Sequence, residues 1–298
     1  MNSQVLVSVV IPTYKRPDTL DRAIKSVLNQ THPLIEIIVV DDNNPDTEGR
    51  RLTEAKMVEF ANEPRVKYIQ HEHNKNGSAA RNTGAKSAQG EYVAFLDDDD
   101  EYLSQKIASQ LEVLSNKDNS WGCCYSKYAT RKAGQKAVES SEHREGNLYL
   151  EALMREFHIA SGSNLLVRKE AFMAINGFDE SFLRNQDIEF LTRLLKKYKI
   201  AYSDYCGLVV NIHFNHGYFD EQEVINQYLE RFDGFIKALS PEEQKLFYRK
   251  ISQQRFFDYL RVKHDYRKCI GMIKEGEISF SDASSYTIKR LKSYFKRF

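Results

Sequence analysis

The chain has 298 residues, enough for one large α/β domain with an appendage or for two smaller domains, and ample to bury a core around a sheet. Lys plus Arg total 43 against 42 Asp plus Glu, a balance that argues against a nucleic-acid binder, and 17 Tyr with 17 Phe argue against disorder. The four cysteines, Cys123, Cys124, Cys206 and Cys269, form no C-x-x-C pair, which removes zinc-knuckle and redox-motif readings and leaves buried reduced thiols.

Residues 5–11 form an almost continuous apolar run, as in a strand buried on both faces, and Pro12 is expected to end it. Pro17 and Asp18 suit the first turn of a helix that carries Leu20, Ala23, Ile24, Val27 and Leu28 at helical spacing. Residues 35–40 read as a second strand, closed by Asp41-Asp42-Asn43-Asn44-Pro45. A weaker helix over 48–61, a strand over 66–69, a turn at 74–77 and a short helix over 78–88 follow. A fourth strand over 92–96 runs into four aspartates, and residues 103–114 read as helix. Four strand–helix alternations predict a mostly parallel, doubly wound α/β sheet, whose ligands bind beyond the carboxyl ends of the strands. The polar clusters 12–16, 41–42, 74–77 and 97–100 fall there, so four loops from distant positions are expected to converge on one crevice.

Further on, residues 121–128 read as a strand and 130–144 as a polar hairpin or mobile loop. Residues 164–167 lead as a strand into a helix over 169–175, then a Gly-Phe-Asp-Glu turn at 177–180. A helix over 187–197 and strands near 201 and over 208–212 complete this part. After His216 helix formers dominate, which divides the chain into a domain over 1–216 and a helical region over 217–298. The opening residues lack a basic leader, and no run of roughly 18 apolar residues occurs, so a cytoplasmic location is the default expectation.

The chemistry concentrates in Asp97-Asp98-Asp99-Asp100. Adjacent carboxylates repel one another unless positive charge neutralises them, and hard oxygen ligands suit Mg²⁺ or Mn²⁺. In isolation such a run is a solvated acidic turn; after a buried strand it reads as a metal site that could bridge a diphosphate. Asp41 and Asp42 end the second strand, where an acid can accept from ribose or a base, or can form an Asx turn before Pro45. No G-x-G-x-x-G follows the first strand and no G-x-x-x-x-G-K-[ST] occurs anywhere, which removes dehydrogenase and P-loop readings.

The segments VSVVIPTYKRPDTLDRAIKSVLNQT, IIVVDDNNPD, NGSAARNTGAKSAQGEYVAFLDDDD, INGFDE and NQDIEFLTRL, in this order and spacing, resemble glycosyltransferase family 2, the inverting enzymes of the Rossmann-like GT-A fold. The resemblance implies a mostly parallel sheet flanked by helices, with a small helical appendage. It implies that Pro12 and Tyr14 lie against the nucleotide base, that Asp42 hydrogen-bonds a base that is usually uracil, and that Arg81 reaches the nucleotide or its phosphates. It makes Asp97-Asp98-Asp99 the D-x-D element, with Asp99 on Mn²⁺ or Mg²⁺ and Asp97 and Asp98 on ribose or the metal's waters. Asp97 and His213 are further candidate metal contacts. Asp187 matches the catalytic base, although the family often has Glu-Asp where this chain has Gln186-Asp187. Read without the resemblance, Asp187 is an acid favoured by the dipole of a helix N-terminus. Ser163, Gly177 and Phe178 are expected on the acceptor side. His213 and His216 follow a late strand and are surface residues or metal or phosphate contacts.

The implied reaction moves one sugar from a nucleotide-sugar donor, UDP-linked by the resemblance, to a hydroxyl of a saccharide or lipid-linked saccharide, in surface-polysaccharide synthesis by family analogy. The family's processive synthases carry membrane helices and a Q-x-x-R-W motif, and this sequence shows neither. The rival readings are a sugar nucleotidyltransferase, which normally opens with a glycine-rich loop absent here, and a silent nucleotide- or sugar-binding module. At residues 286–298, Ile288, Leu291, Phe295 and Phe298 form an apolar stripe among Lys289, Arg290, Lys292, Lys296 and Arg297. Such a helix either packs on its domain or lies on the inner face of the plasma membrane as a peripheral contact.

Overall fold

The computed structural model describes residues 5–132, 135–212 and 220–295, with side chains to residue 292. His213 and His216 lie outside the described residues. Two compact units divide at 215/216. The first opens with β1 (Val7–Thr13), α1 (Pro17–Leu28), β2 (Ile35–Asp41), α2 (Glu48–Val58), β3 (Val66–Gln70), α3 (Gly77–Ser87) and β4 (Tyr92–Phe95). It continues through β5 (Glu101–Tyr102), α4 (Lys106–Ser115), β6 (Trp121–Lys132), β7 (Val138–Glu139), α5 (Tyr149–Leu153), β8 (Leu165–Arg168), α6 (Lys169–Ala174), α7 (Gln186–Lys197) and β9 (Lys199–Ile212).

The strands form one sheet in the order β3-β2-β1-β4-β8-β6-β9-β5, with β7 on β6. The β3-β2-β1-β4 half is parallel throughout, while β8 runs antiparallel to both β4 and β6. Alternate residues of the central strands fill two cores. Val10, Ile38, Val40, Val93 and Phe95 face one side with α3, α6 and α7 residues, and Val9, Ile11, Ile37, Val39, Ala94 and Leu96 face the other with α1 and α4 residues. Cys123 and Cys124 fall in opposite cores as free buried thiols, and burial pushes both above the usual thiol range.

Three expectations change. Pro12 does not end β1, because the strand continues to Thr13 with Pro12 beside Val40 of β2. Val7 and Thr13 direct their backbone groups to β2, whereas Val10 accepts from Leu96 on the β4 side. Pro12 shares the parity of Val10, and pairing with β4 stops at Val10, so its missing N–H removes no ladder bond. The two strands read near 201 and 208–212 are one strand, β9, that keeps pairing β6 across register shifts around Ser126 and Lys127. The helix read from residue 103 begins at Lys106, because Glu101 and Tyr102 pair with β9 instead.

The second unit is all helix: α8 (Glu221–Lys237), α9 (Pro241–Arg261), α10 (Tyr266–Lys274) and α11 (Phe280–Phe295). Ser240 and Glu243 close a reciprocal capping box at the start of α9. Phe256, Cys269, Met272, Ile278 and Ala283 form a small core of their own. Among the described residues no helix is long and apolar enough to cross a membrane.

Candidate active site

The carboxyl ends of β1, β2 and β4 carry the loops expected to converge, and their polar groups are tied together. Thr13 Oγ1 donates to Asp98 Oδ2 at 2.8 Å, and the Arg16 guanidinium bonds both Asp98, at 3.4 Å, and Asp99. Arg22 from α1 and the Asn211 side chain each donate to the Asp99 carbonyl at 2.7 Å. The Asn211 backbone N–H donates to Asp100 at 3.1 Å. Beneath the run, Ser163 accepts from the Asp97 N–H at 3.0 Å and hydrogen-bonds the Asp100 carboxylate. Burial pushes the Asp98 carboxyl up to about 7 against the pull of Arg16, and pushes Asp100 well above the usual carboxylate range.

Arg81, on α3, connects this loop to the start of α7. Its guanidinium bonds Asp97, donates to Gln186 Oε1 at 2.9 Å and lies over the Phe178 ring at 5.6 Å. Gln186 in turn donates to the Phe182 carbonyl at 3.0 Å. Asn185 precedes α7 in the left-handed region at φ 54°, which turns the chain so that Gln186 and Asp187 form the first helical turn. Asp187 is partly buried. Burial raises its pKa first, Arg81 draws it down, and the charge of Asp97 raises it again, so carboxylates ninety residues apart share one electrostatic neighbourhood.

Asp42 has a different setting from the one expected. Its side chain is 3% exposed and accepts from His71 Nδ1 at 2.7 Å, Asn74 Nδ2 at 2.8 Å, Lys75 N–H at 2.8 Å and Asn76 N–H at 2.9 Å. A carboxylate has about four lone-pair positions, so none is left open for a base. Asp42 instead fixes the 74–76 loop, from which Asn76 caps α3 by accepting from Ser78 and Ala79. Asp41 is fully buried, bonded to Asn43 and Tyr68, and ion-paired to Arg50 at 3.3 Å.

The residues expected on the acceptor side are interior. Phe178 stacks on Phe190 at 4.2 Å between centroids and meets Phe95 edge-on at 5.2 Å. Its backbone exchanges two hydrogen bonds with the Asn82 side chain, at 2.8 and 2.9 Å. Gly177 takes φ 66° and packs against Asn82 and Phe172, which leaves no room for a side chain. Ser163 is fully buried under the acidic run. All three lie in the interior. Pro12 and Tyr14 stand at the carboxyl end of β1, with Tyr14 39% exposed and the Lys15 ammonium over its ring.

Sequence reading left Arg16, Arg22 and Asn211 without roles, and placed Asn164, with Ser161, Gly162 and Ser163, on the acceptor side. Asn164 is the hinge of the support: it donates to Ser126 O and Ile159 O at 2.8 and 3.0 Å and accepts from Ser126 N–H and hydroxyl. The fully buried Lys106 donates to Gln110 at 2.6 Å and to the Asn164 carbonyl at 3.2 Å, and burial draws its ammonium down to about 7. No motif signals a contact between such distant positions. Only Arg16, one residue before the helix-opening Pro17 and inside a polar cluster, carried a hint.

For a divalent cation, Asp97 and Asp99 are the carboxylates that could serve as donors. Among the described residues no group of three or more His, Cys, Asp or Glu side chains gathers as a cage. A Mg²⁺-type ion asks for only one or two protein carboxylates, with phosphate and water completing its shell. Two hard carboxylates at a strand end meet that demand. Arg81 and Arg16 supply the positive charge beside them.

The model of the family described as "Glycosyl transferase family 2" matches residues 8–175. An uncharacterized glycosyltransferase of Rickettsia prowazekii is 27% identical over 280 residues, 93% of this chain and 84% of that protein. The Escherichia coli UDP-Glc:alpha-D-GlcNAc-diphosphoundecaprenol beta-1,3-glucosyltransferase WfgD is 37% identical over 109 residues, 37% of this chain and 41% of that enzyme. Residues 1–349 of S. aureus TarS, solved in complex with UDP-GlcNAc, superpose with a TM-score of 0.66 at 17% identity, covering 87% of this chain and 74% of that one, a likeness of fold.

Proposed function

Since the chain belongs to glycosyl transferase family 2, we propose that it transfers a single sugar, with inversion, from a UDP-linked donor to a hydroxyl of a lipid-linked saccharide. The observation that carries this reading is Arg81, which bonds the D-x-D carboxylate Asp97 and the residue next to Asp187 at once. Leaving-group and acceptor chemistry are thereby joined in one crevice. WfgD, which by its name acts on a diphosphoundecaprenol-linked sugar, supports the acceptor class, and the TarS complex with UDP-GlcNAc supports the donor class.

In this reading the Tyr14 ring and Pro12 flank the base, while Asp42 holds the loop beside them. Asp97 and Asp99 hold Mn²⁺ or Mg²⁺. When bound, that ion supplies a Lewis acid that neutralises the departing diphosphate. Arg81 and Arg16 add preorganised positive charge on the same side. Asp187 accepts the acceptor hydroxyl's proton as that oxygen forms a bond to the anomeric carbon and the bond to diphosphate breaks. Attack from the face opposite the diphosphate inverts the configuration. The helical region over 217–298 is a separate domain in this reading. The exposed Lys289, Arg290 and Lys292 of α11 belong to a peripheral membrane contact.

Purified protein incubated with a panel of nucleotide sugars, with Mn²⁺, Mg²⁺ or EDTA, tests this by release of nucleoside diphosphate. One donor should react, EDTA should stop it, and Asp187→Asn should reduce it at least a hundredfold. Consumption of a nucleoside triphosphate instead points to a nucleotidyltransferase. UDP binding without turnover, even with a short-chain diphospholipid sugar acceptor, points to a silent module.

A further inference from the structure

We propose that the corner between α9 and α10, residues 261–274, is a docking surface for an anionic lipid membrane. It is separate from the α11 contact and rests on the lipid-linked acceptor reading above. Val262, Tyr266 and Ile270 are 60%, 58% and 53% exposed. Tyr266 and Ile270 stand one turn apart on α10, whose opposite side buries Cys269 and Met272 in the unit's core. Arg261, Arg267, Lys268 and Lys274 are exposed in the same stretch, with Arg267 and Lys274 on the side of α10 next to Ile270.

Several surface cations of this unit are ion-paired. Lys263 pairs with Asp220 at 2.6 Å, Lys237 with Asp233 at 2.7 Å, and Arg249 with Asp282. Among the described residues none of Arg261, Arg267, Lys268 and Lys274 has an ion-pair partner. Of the nearby acids, Asp265 caps α10 by accepting from the Lys268 N–H, and the exposed Glu275 and Glu277 follow the helix without an ion pair to these cations among the described residues. The corner therefore offers unneutralised cations around apolar side chains that gain by leaving water. A protein partner with an acidic rim would need a matching shape. A bilayer bearing anionic headgroups needs only the sign of charge and an apolar layer a few ångströms deeper, with Tyr266 suited to the headgroup level. A sugar transferase with a lipid-linked acceptor has to work at such a surface.

Sedimentation of the full chain with vesicles of phosphatidylcholine alone, or of phosphatidylcholine with 30% phosphatidylglycerol, tests the proposal. Binding should require the anionic lipid and weaken with salt. Arg267→Glu with Lys268→Glu should lower partition by about fivefold or more per residue. Tyr266→Ser with Ile270→Ser should lower it while leaving UDP binding and turnover of a water-soluble acceptor unchanged, and an unchanged helical circular-dichroism signal and melting midpoint of the helical unit show that the variants fold. Equal binding to both vesicle types, or full retention by both double variants, overturns the assignment. So does loss of binding only on replacing Ile288 and Lys289, since that would place the whole contact on α11. A Tyr266 and Ile270 variant that changes mass in light scattering from dimer to monomer makes the corner a self-association surface and also overturns it. Turnover of the soluble acceptor reports on the transferase reading independently, so the two can fail separately.

Discussion

A carboxylate that removes a proton from a sugar hydroxyl gains from a raised proton affinity, provided it is ionised when the donor binds. Asp187 meets this through burial and the nearby charge of Asp97, with Arg81 pulling the other way. Because the base must be deprotonated, kcat/KM should fall as the pH drops through its pKa, and that acid limb should lie above the ordinary carboxylate range of about 4. Arg81→Gln removes the opposing charge and should move the limb of its residual activity to still higher pH. A limb at the ordinary position, or one indifferent to Arg81, removes Asp187 from the role of base. Asp98 makes a converse statement about stability. Its folded pKa of about 7 exceeds the ordinary 3.8, so its contribution is fully present below about pH 4 and is lost as the pH rises through about 7. The shift corresponds to an upper bound on the order of 4 kcal/mol. Asp98→Asn, which can still accept from Thr13, should therefore melt several degrees higher than the wild type at pH 8 and equally at pH 4, while losing transferase activity. Thermal melts at both pH values decide this, and a lower melting temperature at pH 8 contradicts it.

At the scale of elements, the acidic loop depends on the short 3₁₀ turn Gly162–Asn164 that precedes β8. Asn164 joins that turn to β6 through the Ser126 carbonyl, to which it donates, and the Ser126 N–H and hydroxyl, from which it accepts, and it reaches back to the Ile159 carbonyl. Asn164→Ala leaves these buried groups without partners, at about 1–3 kcal/mol each before relaxation. It should lower the melting temperature by roughly 5–10 °C and loosen Ser163 under Asp97. Donor KM should rise with it, and a variant with native stability and KM argues that the turn is held by other means. The alternation that defines β1 through β4, and the clustering of polar residues at their ends, could be read from the sequence because period and punctuation are local. The roles of Asp42 and Phe178 could not. Asp42 is saturated by donors some thirty residues later, and Phe178 is drawn into the core by Phe95, Phe172 and Phe190. Both depend on contacts between distant positions. The same holds for β9, read as two strands, which pairing with β6 keeps as one across register shifts. The family pattern supplied Arg81 and Asp187, and the geometry added the contact through Gln186 that joins them.

At the scale of the whole molecule, the chain combines a sheet unit and a helical unit, each of which buries apolar residues of its own. Units that each bury their own apolar surface are expected to unfold as separate cooperative blocks. All of the proposed donor-binding residues, from Pro12 to Asp99, and the proposed base Asp187 belong to the first unit. A ligand that binds only the folded form stabilises it by about 2.7 kcal/mol at a hundredfold excess over Kd. For a block of this size that raises the midpoint by roughly 5–10 °C. Calorimetry of the full chain should therefore show two transitions. UDP with Mn²⁺ should move the transition of larger enthalpy, which belongs to the longer first unit, and leave the smaller one in place. UDP without the ion should move it less, since Asp97 and Asp99 then have no cation to share with the diphosphate. If both transitions shift together, the helical unit takes part in donor binding. If neither shifts, the crevice assigned to the donor is wrong, and Tyr14, Arg81 and the acidic run lose their proposed roles at once.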